Sequence, residues 1–324
     1  MATNLDVNSI VSQLMSAERQ PLAKFTAREA GYQAKLSAYG SVKSAVSGFQ
    51  TALQGLNSAN KFQSLTASVS DKAFFTASAT ASAAPGTYSL EVSSLAQSQQ
   101  LAAAGQASST AAIGSGAATT LTFDFGTISG GTLTDGTYSG AAFASNGKGS
   151  KSVTIDASNN SLQGIRDAIN AAKIGVKASI VNDGSGTPYR LTLAADGQGA
   201  ANSMKISVAG DAAIGALLAH DPAGAQALTE SVTAQNANLK VNGVAVSKPS
   251  NTISDVVEGV TLTLLKPTAA AEKLSVARDT TSITNSVNSF VKAYNDMANT
   301  LKNLTAYDKA TQKGAILLGD ATVR

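Results

Sequence analysis

The sequence predicts an α+β protein of several domains, in which helices from both chain ends form a coiled-coil leg and two mostly antiparallel β domains are inserted between them. Three observations lead to this prediction. Apolar residues recur every three or four positions near each end of the chain. Short alternating runs separated by turn residues fill the middle. The length of 324 residues leaves room for two or three domains.

Heptad-like patterns identify the two helical ends. The first pattern consists of Tyr32, Leu36, Tyr39, Val42, Val46, Phe49, Leu53 and Leu56. From Tyr39 onward its spacing alternates between three and four residues, as in the seam of a coiled coil. Asp279 and Thr280 are candidate N-caps of a second such helix. That helix carries Ile283, Val287, Phe290, Tyr294, Met297, Leu301 and Leu304. We therefore predict that the two helices pack on each other or on other subunits.

A shorter apolar face precedes the first heptads. It consists of Leu5, Ile10, Val11, Leu14 and Met15. Pro21 follows, and a proline removes a backbone donor and disfavours helical geometry in the residue before it. We therefore expect a helix break at Pro21 and a mobile terminal segment, residues 1–31, that orders on meeting partner subunits. A helix buried in the protein's own fold is the alternative.

The middle of the chain has the pattern of strands and tight turns. Pro85-Gly86, Asp183–Gly186 and Asn242-Gly243 separate alternating apolar runs, and the last of these is typical of a two-residue hairpin turn. Ser161–Lys173 has a clear helical pattern, and Asp211–Ala219 has a weaker one. The middle is therefore predicted to be mostly antiparallel sheet.

Two breaks divide this middle region. One is the small-residue tract Ala102–Thr120, and the other is His220–Glu230, which contains Asp221-Pro222. The predicted division is a mobile terminal segment (1–31), a helical leg (32–63 and 278–324), a first β domain (64–118 and 231–277) and a second, inserted β domain (119–230).

Residue chemistry gives no support for an enzyme. The sequence holds no cysteine and one histidine, so the usual nucleophile–base pairs and Cys/His metal sites cannot be assembled. We expect that histidine, His220, to be a solvated surface residue beside Asp221. Gly126–Gly131 and Asp183–Gly186 lack the strand–loop–helix context of a nucleotide site. We predict no catalytic residue, no cofactor and no metal.

Charge and hydropathy argue against two kinds of partner, nucleic acid and the membrane interior. The net charge of +3 is small and the basic residues are scattered, so nucleic acid is not expected. No stretch approaches the roughly 20 apolar residues of a membrane span. The N-terminal region also lacks the pattern of a cleaved signal peptide, so export would need a route without one.

Four motifs along the chain carry a family resemblance. They are LDVNSIVSQLMSAERQPL at Leu5–Leu22, GTYSLEV at Gly86–Val92, FVKAYND at Phe290–Asp296 and LLGD at Leu317–Asp320. In this order they resemble the flagellar filament cap proteins, also called flagellar hook-associated protein 2. The block Ser161–Asn170 is similar to a module shared among flagellin-like axial proteins. The resemblance covers nearly the whole chain.

The resemblance implies a secreted structural protein at the tip of the bacterial flagellum, exported unfolded by the type III apparatus with a flagellar export chaperone. It implies a small ring-like homo-oligomer that contacts flagellin and hook–filament junction proteins and promotes flagellin insertion. Family members have helical legs and strand-rich plate domains. They usually continue beyond the LLGD motif into a helical region that returns along the N-terminal helix, so we expect Arg324 to end a truncated chain or a natural fragment.

Two apolar groups are the candidate contact residues. For flagellin or junction contacts they are Leu5, Ile10, Val11, Leu14 and Met15. For leg packing or self-association they are Tyr39, Val42, Val46, Phe49, Phe290, Tyr294 and Leu301. Packing within one subunit and association between subunits both remain open for the second group.

Two other functions remain open from the sequence. Another flagellar axial protein, of the flagellin or junction type, would polymerise into a tube and not close a small ring. A surface adhesin built from sheet domains would bring cell adhesion through the 77–277 region. The cap-like motifs favour the cap.

Overall fold

The computed structural model describes residues 7–323. Within this range the chain forms two compact units, one from the chain up to Ser64 together with the chain from Arg278 onward, and one from Leu65–Ala277. The α-helices are, in chain order, α1 (Val7–Leu56), α2 (Ala59–Phe62), α3 (Leu162–Ala172), α4 (Ala212–Leu218) and α5 (Thr280–Thr305).

The strands fall into the middle of the chain, apart from a short pair after α5. They are β1 (Leu65–Val69), β2 (Phe75–Ala79), β3 (Gly86–Ser94), β4 (Gln100–Ala102), β5 (Thr119–Thr134), β6 (Thr137–Ser145), β7 (Lys151–Ile155), β8 (Val176–Asn182), β9 (Tyr189–Ala195), β10 (Ser203–Ala209), β11 (Thr229–Val232), β12 (Ala237–Val241), β13 (Val244–Lys248), β14 (Thr252–Val257), β15 (Val260–Leu264), β16 (Glu272–Arg278), β17 (Tyr307–Asp308) and β18 (Lys313–Gly314).

Helix α1 runs through Pro21 as one helix of 50 residues, so the predicted break at Pro21 is wrong. The proline deprives one carbonyl, that of Ala17, of its helical donor. Ala17 and Pro21 are both exposed, so water can satisfy that carbonyl. Good helix formers on both sides, such as Glu18 and Leu22, favour continuation. The mobility of residues 1–31 stays a prediction.

The C-terminal part of α1 packs against α5 in the helical unit. Asp279 caps α5, as predicted, because its side chain accepts a hydrogen bond from the Ser282 amide at 2.9 Å. The chain after α5 forms the β17–β18 pair and then returns to the helices, where Leu317 is buried. The amide of Leu317 donates to the Leu304 carbonyl at 2.9 Å.

Two sheets enclose the first core of the β-rich unit. One has the strand order β1-β16-β3-β12-β13 and the other the order β14-β15-β2. The first core includes Phe75, Leu90, Val92, Leu239, Leu262 and Leu274. The predicted Asn242-Gly243 turn joins β12 to β13, with φ of 50° and 84° at the two positions. Both values fit a type I′ turn, which demands positive φ at its central residues.

Two further sheets and two helices enclose the second core. The sheets have the orders β10-β5-β6, with β7 also paired to β5, and β11-β4-β9-β8. The second core includes Leu101, Leu121, Phe123, Ile165, Leu191 and Met204. Helix α3 is capped by Ser161, whose hydroxyl accepts from the Gly164 amide at 3.1 Å. Because Leu101 belongs to this core, the second core begins before residue 119, where the sequence analysis placed the boundary.

A long hairpin, β5–β6, is the largest element that the sequence analysis missed. Strand β5 runs from Thr119 to Thr134, and β6 pairs with it from Thr137 to Ser145. Asp135 and Gly136 form its turn, with φ of 50° and 79°. We name residues 127–144 of this hairpin the arm.

Candidate interaction surfaces

The predicted leg residues cluster where α1 meets α5. The ring of Phe49 lies 5.4 Å from that of Phe290 and 6.1 Å from that of Tyr294, measured between centroids. Such tilted and edge-on pairs add stability beyond the area they bury. Val42 and Leu301 are half-buried in the same unit, whereas Val46 and Tyr294 remain largely exposed. The residues that stay exposed leave part of this surface free for further packing.

Tyr39 has a polar role that the apolar heptad did not indicate. Its hydroxyl donates a hydrogen bond to the Asp320 carboxylate. This bond is the main cause that lowers the pKa of Asp320 and raises the pKa of Tyr39. Asp320 closes the LLGD motif, so the bond together with buried Leu317 fastens that motif to the helices. From the sequence, this motif indicated only a family resemblance.

The N-terminal part of α1 presents an uncovered apolar face. Ile10, Val11, Leu14 and Met15 are all exposed, and Leu5 lies outside the described residues. The same part of the helix exposes Leu22, Phe25, Tyr32 and Leu36. We name the eight exposed residues from Ile10 to Leu36 the α1 face. Contiguous apolar surface of this kind marks interaction sites.

The lengths of the two helices explain why this face is uncovered. At 1.5 Å per residue, the 50 residues of α1 span about 75 Å and the 26 residues of α5 about 39 Å. About half of α1 therefore has no α5 alongside it. Tyr32 and Leu36 continue the heptad of the packed half, yet Tyr32 is 73% exposed. The heptad pattern is thus longer than the helix pair that the described chain forms.

His220 is buried, so its prediction as a solvated surface residue is wrong. Its backbone pairs with β10: the Ile206 amide donates to the His220 carbonyl at 2.7 Å, and the His220 amide donates back at 2.9 Å. This pairing places the imidazole in the interior of the β-rich unit, where its exposure is 0%. Burial lowers the pKa of His220 to about 4, against smaller opposing effects of the Leu228 backbone and the Asp221 charge.

The ring nitrogens of His220 make no hydrogen bond of ordinary geometry within the described chain. The imidazole is neutral near pH 7 and packs as a core side chain. Among residues 7–323 no group of three or more His, Asp or Glu side chains could hold a metal ion. In the same range no helix is long and apolar enough to cross a membrane.

Family models match three parts of the chain. The N-terminal model of flagellar hook-associated protein 2 matches residues 3–99, and its C-terminal model matches residues 234–324. The flagellin hook IN motif matches residues 143–197. The flagellar hook-associated protein 2 of Salmonella typhimurium is 35% identical over 331 residues, which cover 100% of this chain and 67% of that protein. The chain belongs to the flagellar hook-associated protein 2 family.

Other members of the flagellar hook-associated protein 2 family give the same result. The protein of Escherichia coli K12 is 36% identical over 332 residues, covering 100% of this chain and 66% of that protein. The B-type protein of Pseudomonas aeruginosa is 35% identical over 337 residues, covering 98% and 65%. This chain thus spans about two thirds of the length of these relatives. The family resemblance predicted from the four motifs is confirmed.

Solved structures of the family confirm the predicted α+β fold. The crystal structure of the flagellar cap protein of Escherichia coli matches with a TM-score of 0.69 at 37% identity, covering 89% of this chain and 74% of that chain. The structure of the hook-associated protein 2 of Pseudomonas aeruginosa matches with a TM-score of 0.56 at 29% identity, covering 74% and 99%.

Proposed function

We propose that this family member is a structural cap and assembly factor at the tip of the bacterial flagellar filament, outside the cell. In this role it forms a small ring-like homo-oligomer and promotes the insertion of flagellin subunits beneath it. The observation that carries the proposal is the likeness, along most of the chain, to a crystal structure named as a flagellar cap protein.

The α1 face supports a function based on contacts between proteins. An isolated helix is marginal in water, and most helical stability in proteins comes from packing an apolar face. A half-helix with several exposed large apolar side chains, of which Leu14 is 67% exposed, therefore gains most by binding a partner. We assign the predicted contact group (Leu5, Ile10, Val11, Leu14 and Met15) to flagellin or to junction proteins. During export the same face would suit a flagellar export chaperone.

The packed half of the helical unit supports a second role. Phe49, Phe290 and Tyr294 hold α1 to α5, while Val46 and Tyr294 keep exposed surface. We propose that the first group of contacts builds the leg within one subunit and that the exposed remainder joins legs of neighbouring subunits. The predicted division into a leg and two β domains is part of this proposal. Function then rests on surfaces and assembly, not on catalysis.

Complementation of a cap-deficient flagellated bacterium tests the proposal. Two versions are compared: residues 1–324, and a version extended to the full length of relatives such as the Escherichia coli K12 protein, of which this chain covers 66%. The extended version is expected to retain flagellin in filaments. If it leaves flagellin leaking into the medium as monomer, the proposal is wrong.

The mass of the protein in solution separates a cap from another axial protein. A ring closes, so the mass should reach a plateau at a small number of subunits as concentration rises. Growth into filaments without limit would contradict the cap and favour a flagellin-type or junction-type protein.

The variant Leu14→Glu, which places a charge on the α1 face, is expected to weaken assembly without changing the β-rich unit.

A further inference from the structure

The arm of the β5–β6 hairpin has little packing in its middle. Nearer the base, Ile128 and Phe143 are half-buried, and the Lys205 ammonium lies 5.9 Å from the centre of the Phe143 ring. Most of Thr127–Thr134 is exposed on β5, and so are Ser139, Gly140 and Ala142 on the facing strand. Glycines with positive φ interrupt both strands, among them Gly130, Gly131 and Gly140. Glycine weakens strands because it loses more entropy on folding and has no side chain to pack. The base is different, since Leu121 and Phe123 are buried in the second core.

The tip of the arm is nevertheless anchored by several hydrogen bonds. The Glu230 amide on β11 donates to the Gly136 carbonyl at 2.7 Å. The Gln226 side chain makes two hydrogen bonds to the backbone of Tyr138: it accepts from the Tyr138 amide at 2.8 Å and donates to the Tyr138 carbonyl at 2.8 Å. The Tyr138 hydroxyl donates to the Glu230 carboxylate at 3.1 Å.

The Glu230 carboxylate accepts hydrogen bonds both from the tip of the arm and from the protein interior. Glu230 is only 7% exposed, and within the described chain it has no Lys or Arg ion-pair partner. Its second oxygen accepts from the Gln99 side-chain amide nitrogen at 2.7 Å, and the Gln99 side-chain oxygen accepts from the Met204 backbone amide at 2.6 Å. Burial and, next, the charge of Glu230 raise the pKa of Tyr138 to about 12, so Tyr138 stays a hydrogen-bond donor.

A buried carboxylate without a cation is stable only if neutral donors satisfy both oxygens. Tyr138 and Gln99 are those two donors. Loss of the Tyr138 bond would leave a buried charged oxygen without a partner, which costs more than the bond itself contributes. The contacts that hold the tip are therefore strong, whereas the middle of the arm, between the tip and the base, has few stabilising contacts.

We propose that Tyr138, Gln226 and Glu230 form a clasp that holds the tip of the arm on β11, and that the β5–β6 pairing within the arm unfolds as one unit when the clasp breaks while both cores stay folded. β11 is one of the two edge strands of its sheet. An uncovered outer strand can pair with another chain. The closed clasp, with the Glu230 amide bound to Gly136, thus also covers this sheet edge.

Hydrogen exchange of backbone amides in the full chain tests the clasp. In Tyr138→Phe, amides of the arm should exchange about ten- to hundred-fold faster, as expected for losing a hydrogen bond to a charged group. Amides in α3 and in β8–β9 should keep their wild-type rates. Equal acceleration in the arm, in α3 and in β8–β9, or unchanged rates in the arm, would overturn the proposal.

A glycine pair supplies a second variant and its matched control. Gly136 has φ of 79°, and a Cβ there would lie 3.0 Å from the Glu230 carbonyl oxygen and the Thr229 Cβ. Gly243 has φ of 84° in an equivalent turn, where a Cβ meets nothing within 4 Å. Gly136→Ala should accelerate amide exchange in the arm more than Gly243→Ala accelerates it in β12–β13, because both variants carry similar turn strain and only the first meets Glu230. Equal acceleration in the two hairpins would contradict the clasp.

Discussion

The contact of Phe49 with α5 gives the sharpest prediction about the helical unit. Replacing Phe49 by Ala removes a half-buried ring and its contacts with the rings of Phe290 and Tyr294. A fully buried Phe→Ala change costs about 3–5 kcal/mol. Half of that is about 1.5–2.5 kcal/mol, and the loss of two partly exposed ring pairs adds about 0.5 kcal/mol, so the free energy of unfolding should decrease by about 2–3 kcal/mol.

The assay is urea unfolding followed by the helical circular dichroism signal. A loss of about 2–3 kcal/mol should lower the urea midpoint by about 1 M or more. Tyr32→Ala is the matched control, because Tyr32 lies on the same helix but is 73% exposed; its effect should stay within about 0.5 kcal/mol. Equal effects of the two variants would refute the packing argument, and so would a Phe49→Ala shift that depends on protein concentration.

Two further predictions concern titrating groups. Because the bond from Tyr39 lowers the pKa of Asp320 in the folded state, it stabilises the protein above about pH 4, and that contribution is lost as pH falls through the folded pKa. Tyr39→Phe should reduce this acid dependence in urea titrations without abolishing it, because the Thr322 amide still donates a hydrogen bond to Asp320. His220 has its folded pKa lowered from 6.5 to about 4, so the unfolded chain binds more protons between these values and stability should fall by up to about 3 kcal/mol as pH decreases across that window. His220→Leu should flatten the curve over that window, and an unchanged slope would contradict the burial of the imidazole.

Elements with strong local signals were predictable from the sequence. The heptads predicted the two long helices, and Asp279 was correctly predicted as the N-cap of α5. The Asn242-Gly243 pair predicted a turn, and both residues have the positive φ that this turn requires. In each case the decisive interaction lies within a few residues of chain. The same holds for α3, with its Ser161 cap and one apolar face.

The errors arose where distant residues decide the structure. His220 looks solvated beside Asp221-Pro222, but pairing with Ile206 carries it inside. The arm is made of Thr, Ser, Gly and Ala, so it lacks an apolar alternation; only the Asp135-Gly136 turn could have indicated it. Pro21 predicts a helix break because a proline removes one helical hydrogen bond, yet the long helix on either side of it continues.

The candidate contact residues were only partly accessible to sequence reasoning. Apolar spacing found both the α1 face and the Phe49 cluster, but it could not tell which half of the heptad α5 covers. It also could not show that Tyr39 and Asp320, far apart in sequence, form a hydrogen bond. Spacing gives the face of a helix, whereas the partner depends on where the rest of the chain returns.

The location of the protein on the flagellum tests the central claim most directly. Antibodies against residues 65–277, the β-rich unit, can be used for immunogold labelling of flagella on the bacterium that encodes the chain. A cap predicts label only at the distal tip of each filament. Label distributed along the filament, or absent from the tip, would contradict the account.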